Sequence, residues 1–322
     1  MKKLITLLVT VLAGIHLQAQ ITEENQQWLQ RNIPSRSKGT PVTSSWHTGT
    51  AGIIKSDGAE LSLFNPSRVG MTKNTELLFR IGEEWILPNV GFKHRWWGND
   101  RFILSTEHSL YYTWPLFKIL QSTGIKDLIP DSVRINQGIA MRNELLFSWL
   151  MNPQVAGCPD PMPERILTFR AGVEFYAGAG KNEIVPFDWF HSLYHTQILN
   201  KKLLYYGGFQ FDSYFSNRFH YSANALYYSV DFSKSYAVEG NVRFTYYVSK
   251  RVGLSACCKL AYMDITQHLR IPGNLEGTII PTDIRDKKSQ FTFLPFLDVT
   301  LLIHPDRGEI RHGLFKNRKK MR

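Results

Sequence analysis

The segment His220-Tyr221-Ser222-Ala223-Asn224 brings together three residue types that could carry out acyl transfer. On a β-strand, residues i, i+2 and i+4 share one face and follow one another at about 7 Å. An imidazole can take the proton of a nearby serine hydroxyl, and an asparagine can orient that imidazole. The spacing therefore offers His220 as a base, Ser222 as a nucleophile and Asn224 as an orienting residue. The other interpretation is that these are ordinary polar side chains at the start of a strand.

Side chains that ligate metals are present, but their spacing does not indicate a metal site. His191 and His195 lie four residues apart and would share a face if this segment were helical, with Asp188 nearby. No glutamate follows the first histidine, as it would in a metalloprotease helix. The three cysteines of the chain are too few to build a disulfide framework. We therefore predict no bound metal and no cofactor.

The strand that would carry His220 and Ser222 belongs to a repeated pattern of alternating residues. In residues 236–249, Val242 and Phe244 fall on one face while Glu239 and Arg243 fall on the other. A period of two indicates a β-strand. Ten segments of this kind cover about residues 75–83, 86–97, 101–113, 138–150, 165–177, 202–214, 219–231, 236–249, 252–265 and 290–303.

Ten such strands predict an all-β fold. The expected architecture is a transmembrane, antiparallel, up-and-down β-barrel of about ten strands, and any number from eight to twelve would also agree with the sequence. Short and long connections alternate, as they do between the two ends of such a barrel. One connection departs from this rule, because residues 151–164 are long and rich in proline where a short turn is expected. The apolar residues 115–120 predict a short helix over the barrel mouth, as a lid, a lipid contact or a helix packed on the rim.

The chain ends differ in composition from the strands. Lys2 and Lys3, followed by an apolar run and the small residue Ala19, predict a signal peptide over residues 1–19. Residues 20–73 are polar and lack sustained periodicity, which predicts a periplasmic segment or a plug inside the barrel. Residues 74–304 would form the barrel, and residues 305–322 a basic tail.

The net charge of +11 does not indicate a nucleic-acid partner. The predicted signal peptide carries two of these charges and residues 307–322 carry six, which leaves +3 for residues 20–306. The basic character therefore belongs to the tail, which we expect to be solvated or to rest on anionic envelope material.

Ionisable residues recur on the less apolar face of the strands, which would line the lumen. Seven of them are basic and six are acidic. Buried charges have to be paired, so this near-balance predicts ion pairs between strands. A barrel of about ten strands filled in this way leaves little room for an open aqueous pore. The predicted lumen charges are Glu76, Arg80, Lys93, Arg95, Glu107, Arg142, Glu144, Arg170, Glu174, Glu239, Arg243, Lys259 and Asp298.

The layout resembles that of the outer-membrane β-barrel proteins of Gram-negative bacteria, over roughly residues 60–303. Apolar faces and aromatic pairs such as Trp96-Trp97 and Tyr227-Tyr228 carry the resemblance, because such pairs form girdles at membrane interfaces. It implies export to the outer membrane, contact with membrane lipid and lipopolysaccharide, and insertion by the barrel assembly machinery. The segment at His220 is also similar to the His-x-Ser-Asn motif of outer-membrane phospholipases and lipid A deacylases, with one residue inserted before the asparagine.

The function that follows is non-enzymatic. We expect an envelope protein that either supports structure or passes or binds a small or hydrophobic ligand. The alternative is a lipid hydrolase that cleaves acyl esters with Ser222 and His220. A soluble, exported all-β protein is a third hypothesis, but it would leave many aromatic side chains in water.

Overall fold

The computed structural model describes residues 47–54, 56, 58–98, 101–123, 134–151, 165–179, 198–216, 219–230, 236–249, 251–268 and 285–303. Twelve strands lie within these ranges: β1 (Ala59–Ser62), β2 (Ser67–Gly70), β3 (Thr75–Phe79), β4 (Asn89–Gly98), β5 (Phe102–Tyr112), β6 (Gly138–Leu150), β7 (Arg165–Gly178), β8 (Leu203–Ser216), β9 (Phe219–Ser229), β10 (Tyr236–Tyr247), β11 (Val252–His268) and β12 (Arg285–Ile303). Two helices accompany them, α1 (Trp114–Ser122) and α2 (Ile198–Lys201). Neither of these helices is long and apolar enough to cross a membrane.

The strands form one closed antiparallel barrel. Each strand pairs with its neighbours in sequence, and β1 pairs with β12 to complete the ring. The predicted signal peptide, the basic tail, His191 and His195 lie outside the described residues, as does most of the proline-rich connection after β6.

The outer face of the barrel is apolar, while the inner face carries charged pairs together with apolar side chains such as Leu204, Leu226 and Met263. Along β6, Ile139 and Met141 are exposed while Ala140 between them is buried, so the alternation of the sequence separates the two faces. On the outer face of β12, Leu297 is 76% exposed. The inner face carries charged side chains such as Lys93, which is fully buried. This distribution is the reverse of that in a soluble protein, where large apolar side chains are mostly buried.

The strand count of about ten was too low. The ten predicted strands correspond to β3 through β12, but β1 and β2 precede them, within the segment assigned to a periplasmic or plug region. Each of these two strands has only four residues, too few for a period of two to stand out. The first predicted strand is also shorter than expected, because β3 ends at Phe79 and turns follow it.

The barrel has two unlike ends. One end, which we call the turn end, has the short connections between strands, at residues 99–101, 217–218 and 248–251. The other end, which we call the loop end, has the long connections, at residues 113–137, 179–202 and 269–284. Helix α1 lies at the loop end, where the sequence predicts a helix over residues 115–120. It packs against the rim, since Leu116, Phe117 and Leu120 are buried in one cluster with Tyr111 and Tyr176 from the barrel.

One carboxylate reinforces the closure of the barrel. The ladder between Ala59–Ser62 and Thr300–Ile303 has only four residue pairs. Directly beyond it, Asp298 accepts hydrogen bonds from the Ser62 hydroxyl at 2.5 Å and from the backbone N–H groups of residues 63–65 at 3.0 to 3.1 Å. The side-chain amide of Asn65 donates another. Asp298 therefore holds the β1–β2 turn against β12 where the backbone ladder ends.

Replacing Asp298 should weaken this closure. In Asp298→Ala, four backbone or hydroxyl donors and one amide lose their acceptor, and we expect the free energy of unfolding to fall by about 3 kcal/mol or more. Urea unfolding followed by tryptophan fluorescence measures this loss. Asp298→Asn, which keeps one acceptor oxygen, should lose clearly less. An unchanged unfolding midpoint in Asp298→Ala would contradict the role of this side chain.

Candidate functional site

The lumen contains ion pairs that the strand register creates. Glu76 on β3 lies opposite Lys93 on β4, which in turn lies opposite Glu107 on β5. The Lys93 Nζ is 2.8 Å from Glu76 Oε1 and 3.8 Å from Glu107 Oε2. The alternation of the sequence predicted that these three side chains face the lumen, and the strand register decides which of them meet.

A second group of charges lies on β6 and β7. Arg170 donates from Nε to Glu144 Oε1 at 2.5 Å, and Arg142 Nη2 lies 3.1 Å from Glu144 Oε2. The Arg142 Nε donates to the Tyr206 hydroxyl at 2.7 Å, and its guanidinium lies 4.6 Å from the centre of the Tyr206 ring. Glu174 is 3.9 Å from Arg142 Nε. Both guanidinium groups are therefore paired with the Glu144 carboxylate on the barrel wall.

Arg95 lies on the lumen face at the turn end, opposite the buried Ser105 of β5. Pairing between β3 and β4 ends at Thr75 and His94, so Arg95 lies just beyond the ladder at the turn end. Its guanidinium donates to the Asn74 side chain and to the backbone oxygen of Lys73, in an exposed position. The other twelve predicted lumen charges also lie on the inner face.

Four buried charged residues among the described residues were not predicted, namely Glu60, Arg68, Glu83 and Asp212. Glu60 and Arg68 pair at 2.8 Å across β1 and β2, the two strands that were too short to recognise. Asp212 lies on the inner face of β8 and is 1% exposed. A signal for Asp212 was present, because apolar Phe209 and Phe211 alternate with Gln210 and Asp212 along this strand.

The N-terminal segment, residues 47–54, lies inside the barrel near the turn end. The ring of His47 stacks on His220 of β9, with 3.5 Å between the ring centres. Burial lowers the pKa of His47 well below its usual range, and the neighbouring His220 adds to this effect. Next along the segment, the backbone oxygen of Thr48 accepts from Gln210 Nε2 at 3.0 Å.

The same segment then crosses to the opposite wall. The N–H of Ala51 donates to Ser148 Oγ at 2.8 Å, and the Ser105 hydroxyl donates to the Ala51 backbone oxygen. The N–H of Ile54 donates to Glu76 Oε2 at 2.7 Å. Contacts on β9, β8, β6, β5 and β3 thus hold residues 47–54 across the lumen. Residues 47–54 of the predicted N-terminal segment therefore lie within the lumen, and we refer to them as the plug.

Gly49 allows the plug to pass Gln210. Its φ is +88°, a conformation that favours glycine, and a Cβ at this position would collide with the Gln210 amide. We expect Gly49→Ala to destabilise the seated plug by at least 1–2 kcal/mol through φ alone. Hydrogen–deuterium exchange of residues 47–54 should therefore speed up about tenfold or more, while the barrel strands stay protected.

Gly207→Ala is the matched control for this experiment. Gly207 lies on β8, and a methyl group added there would have the Arg170 backbone oxygen as its nearest heavy atom, at 3.6 Å, which is ordinary contact. Exchange in the plug should be unchanged in this variant. Equal exchange in the Gly49 and Gly207 variants would show that the plug does not depend on its fit against Gln210.

A cavity of about 150 Å³ lies between the plug and the inner wall. Thr48 and Gly49 of the plug form part of its lining, together with residues of the β1–β2 turn and of most strands. Five basic and two acidic side chains face it, namely Arg80, Arg142, Arg170, Arg243, Lys259, Glu107 and Glu239. The cavity is therefore polar and rich in positive charge.

The predicted acyl-transfer residues all lie on the inner face of β9. His220 is 1% exposed, and Ser222 and Asn224 line the cavity. A carboxylate that the sequence analysis did not assign lies beside them, since Asp212 Oδ1 is 3.6 Å from His220 Nε2. The register places Asp212 directly opposite Ser222. The group faces the lumen, whereas a membrane lipid would reach the opposite face of the strand.

Comparison with known proteins adds no assignment. The sequence matches no model of a known protein family, and its comparison with curated proteins finds no significant match. In the part of the chain that the structure describes, no three or more His, Cys, Asp or Glu side chains are grouped so that they could hold a metal ion.

Proposed function

We propose that the protein is a β-barrel of the Gram-negative outer membrane that holds a small ligand in a closed lumen and has no enzymatic activity. The distribution of side chains carries this proposal: large apolar residues cover the outside, while buried ion pairs lie on the inside. Phe169, 50% exposed on β7, lies between Phe147 and Phe209 on the adjacent strands. A band of this kind is unfavourable in water and favourable against lipid chains.

Filling of the lumen favours binding over free passage. The plug crosses the barrel near the turn end, and the α1 cluster closes part of the loop end. Twelve-stranded barrels are also narrower than the sixteen-stranded porins that leave an aqueous channel. The partners that this proposal implies are membrane lipid, lipopolysaccharide and the barrel assembly machinery, with export directed by the predicted signal peptide.

Phe169→Arg distinguishes a membrane barrel from a soluble one. A charge on the lipid face of a membrane barrel should cost up to about 2–4 kcal/mol, depending on its depth in the bilayer. On a water-exposed surface the same change should stay within about 0.5 kcal/mol. Urea unfolding in lipid vesicles measures this difference in stability. The folded fraction at each urea concentration is read from the change in gel mobility on boiling.

Val248→Arg provides the control for Phe169→Arg. Val248 is comparably exposed, at 52%, but it lies in the turn between β10 and β11 rather than within a strand. Its replacement should leave stability unchanged in either environment. If Phe169→Arg also leaves stability unchanged, and the protein fractionates as a soluble species, the proposal of a membrane barrel fails.

A lipid hydrolase is the second candidate, and the Asp212–His220 contact is the observation that favours it. An activated serine reacts with fluorophosphonates, so a hydrolase would be labelled at Ser222. We expect no labelling of purified membranes, because His220 and Ser222 are buried on the inner face. Labelling that disappears in Ser222→Ala and persists in Ser213→Ala, a buried serine on β8, would replace our proposal with the hydrolase.

A further inference from the structure

We infer that the cavity binds a small hydroxylated organic anion with the size and chemistry of a monosaccharide acid. The inference deepens the proposed ligand-holding role and rests on it. Three features support it. One basic side chain of the inner wall has no carboxylate partner, two buried amide oxygens have no hydrogen-bond donor, and the cavity that these groups line has a limited volume.

Arg243 is the basic side chain that lacks a carboxylate partner. It lies on the inner face of β10, opposite Ser222 on β9 and Cys257 on β11, and lines the cavity. Within the described residues, no hydrogen bond or ion pair engages its guanidinium. A guanidinium presents a planar set of N–H donors that matches a carboxylate in two parallel hydrogen bonds.

The other basic residues of the cavity already have acidic partners. Arg142 and Arg170 contact Glu144, as described above. Lys259 Nζ is 3.0 Å from Glu239 Oε2, and Arg80 Nη1 is 3.6 Å from Glu83 Oε1. A ligand carboxylate would therefore meet its strongest unsatisfied partner at Arg243.

Two asparagines beside Arg243 supply the unsatisfied acceptors. Asn224 and Asn241 lie directly opposite each other on β9 and β10, and Asn241 precedes Arg243 by two residues on the same face. The Oδ1 atoms of both are buried and have no hydrogen-bond partner among the described residues. A buried acceptor without a donor is unfavourable, and ligand hydroxyl groups would satisfy both.

The volume of the cavity limits the size of the ligand. About 150 Å³ is the size of a protein cavity that accommodates one benzene ring. A single substituted six-membered ring is the scale of ligand that this volume indicates, so an acyl chain or an oligosaccharide is too large for this space. Because the lining is charged and polar, the ligand should carry polar groups around the ring.

Isothermal titration calorimetry on the full mature protein in detergent tests the inference. D-glucuronate is the probe, D-glucose lacks its carboxylate, and acetate lacks its ring and hydroxyl groups. We expect glucuronate to bind at least tenfold more tightly than either of the others. Arg243→Gln should weaken glucuronate binding about tenfold or more, because a charge-assisted pair is lost.

Two further variants make the test specific. Arg251→Gln removes an exposed arginine from the β10–β11 turn, outside the cavity, and should leave binding unchanged. Asn241→Leu should weaken glucuronate binding and leave acetate binding as it is. The change in gel mobility between unboiled and boiled samples verifies that each variant forms a folded barrel.

The outcomes separate this inference from the proposed function. Equal binding of glucose and glucuronate, or an unchanged affinity in Arg243→Gln, would overturn the recognition of an anion. Equal binding of acetate and glucuronate would overturn the recognition of hydroxyl groups, and no heat of binding at millimolar glucuronate would overturn both. The Phe169→Arg experiment tests the membrane location without any ligand, so a failure of glucuronate binding leaves the proposed membrane barrel intact.

Discussion

A closed sheet requires every strand to have a neighbour on both sides, and this requirement is met here by a short contact between β1 and β12. Four residue pairs make the ladder, and the Asp298 carboxylate extends the contact by holding the β1–β2 turn. The position of the plug follows from this closure. Because β1 starts at the turn end, residues 47–54 just before it enter the lumen there and find hydrogen-bond partners on the inner face.

The interior is organised in levels along the barrel axis. The plug lies near the turn end, ion pairs and the cavity occupy the middle, and the apolar cluster around α1 lies at the loop end. Removing charges from water is costly, so each level has to satisfy its polar groups locally. Glu76 illustrates this, since it accepts from the Ile54 N–H of the plug and pairs with Lys93 of the wall. At the cavity the compensation is incomplete, around Arg243, Asn224 and Asn241.

The same arrangement bears on the two functional hypotheses. An outer face of apolar side chains suits lipid, and an inner face of paired charges suits a filled lumen with one small binding space. His220 and Ser222 belong to that inner face, at the level of the plug. Their burial, with His47 stacked on His220, is what a structural role in seating the plug would produce.

The sequence by itself determined the all-β class, the ten longer strands and the inner face of residues such as Glu76, Lys93 and Arg243, because a period of two is a local property of the chain. It did not determine β1 and β2, which are too short to show a period, nor the contact of Arg95 with Asn74 at the turn end. Only the tertiary structure decided that Asp298 meets residues 62–65 and that His220 meets Asp212 and His47. Such contacts join residues far apart in sequence, and they depend on strand register and on the path of the plug, which alternation along a single strand does not encode.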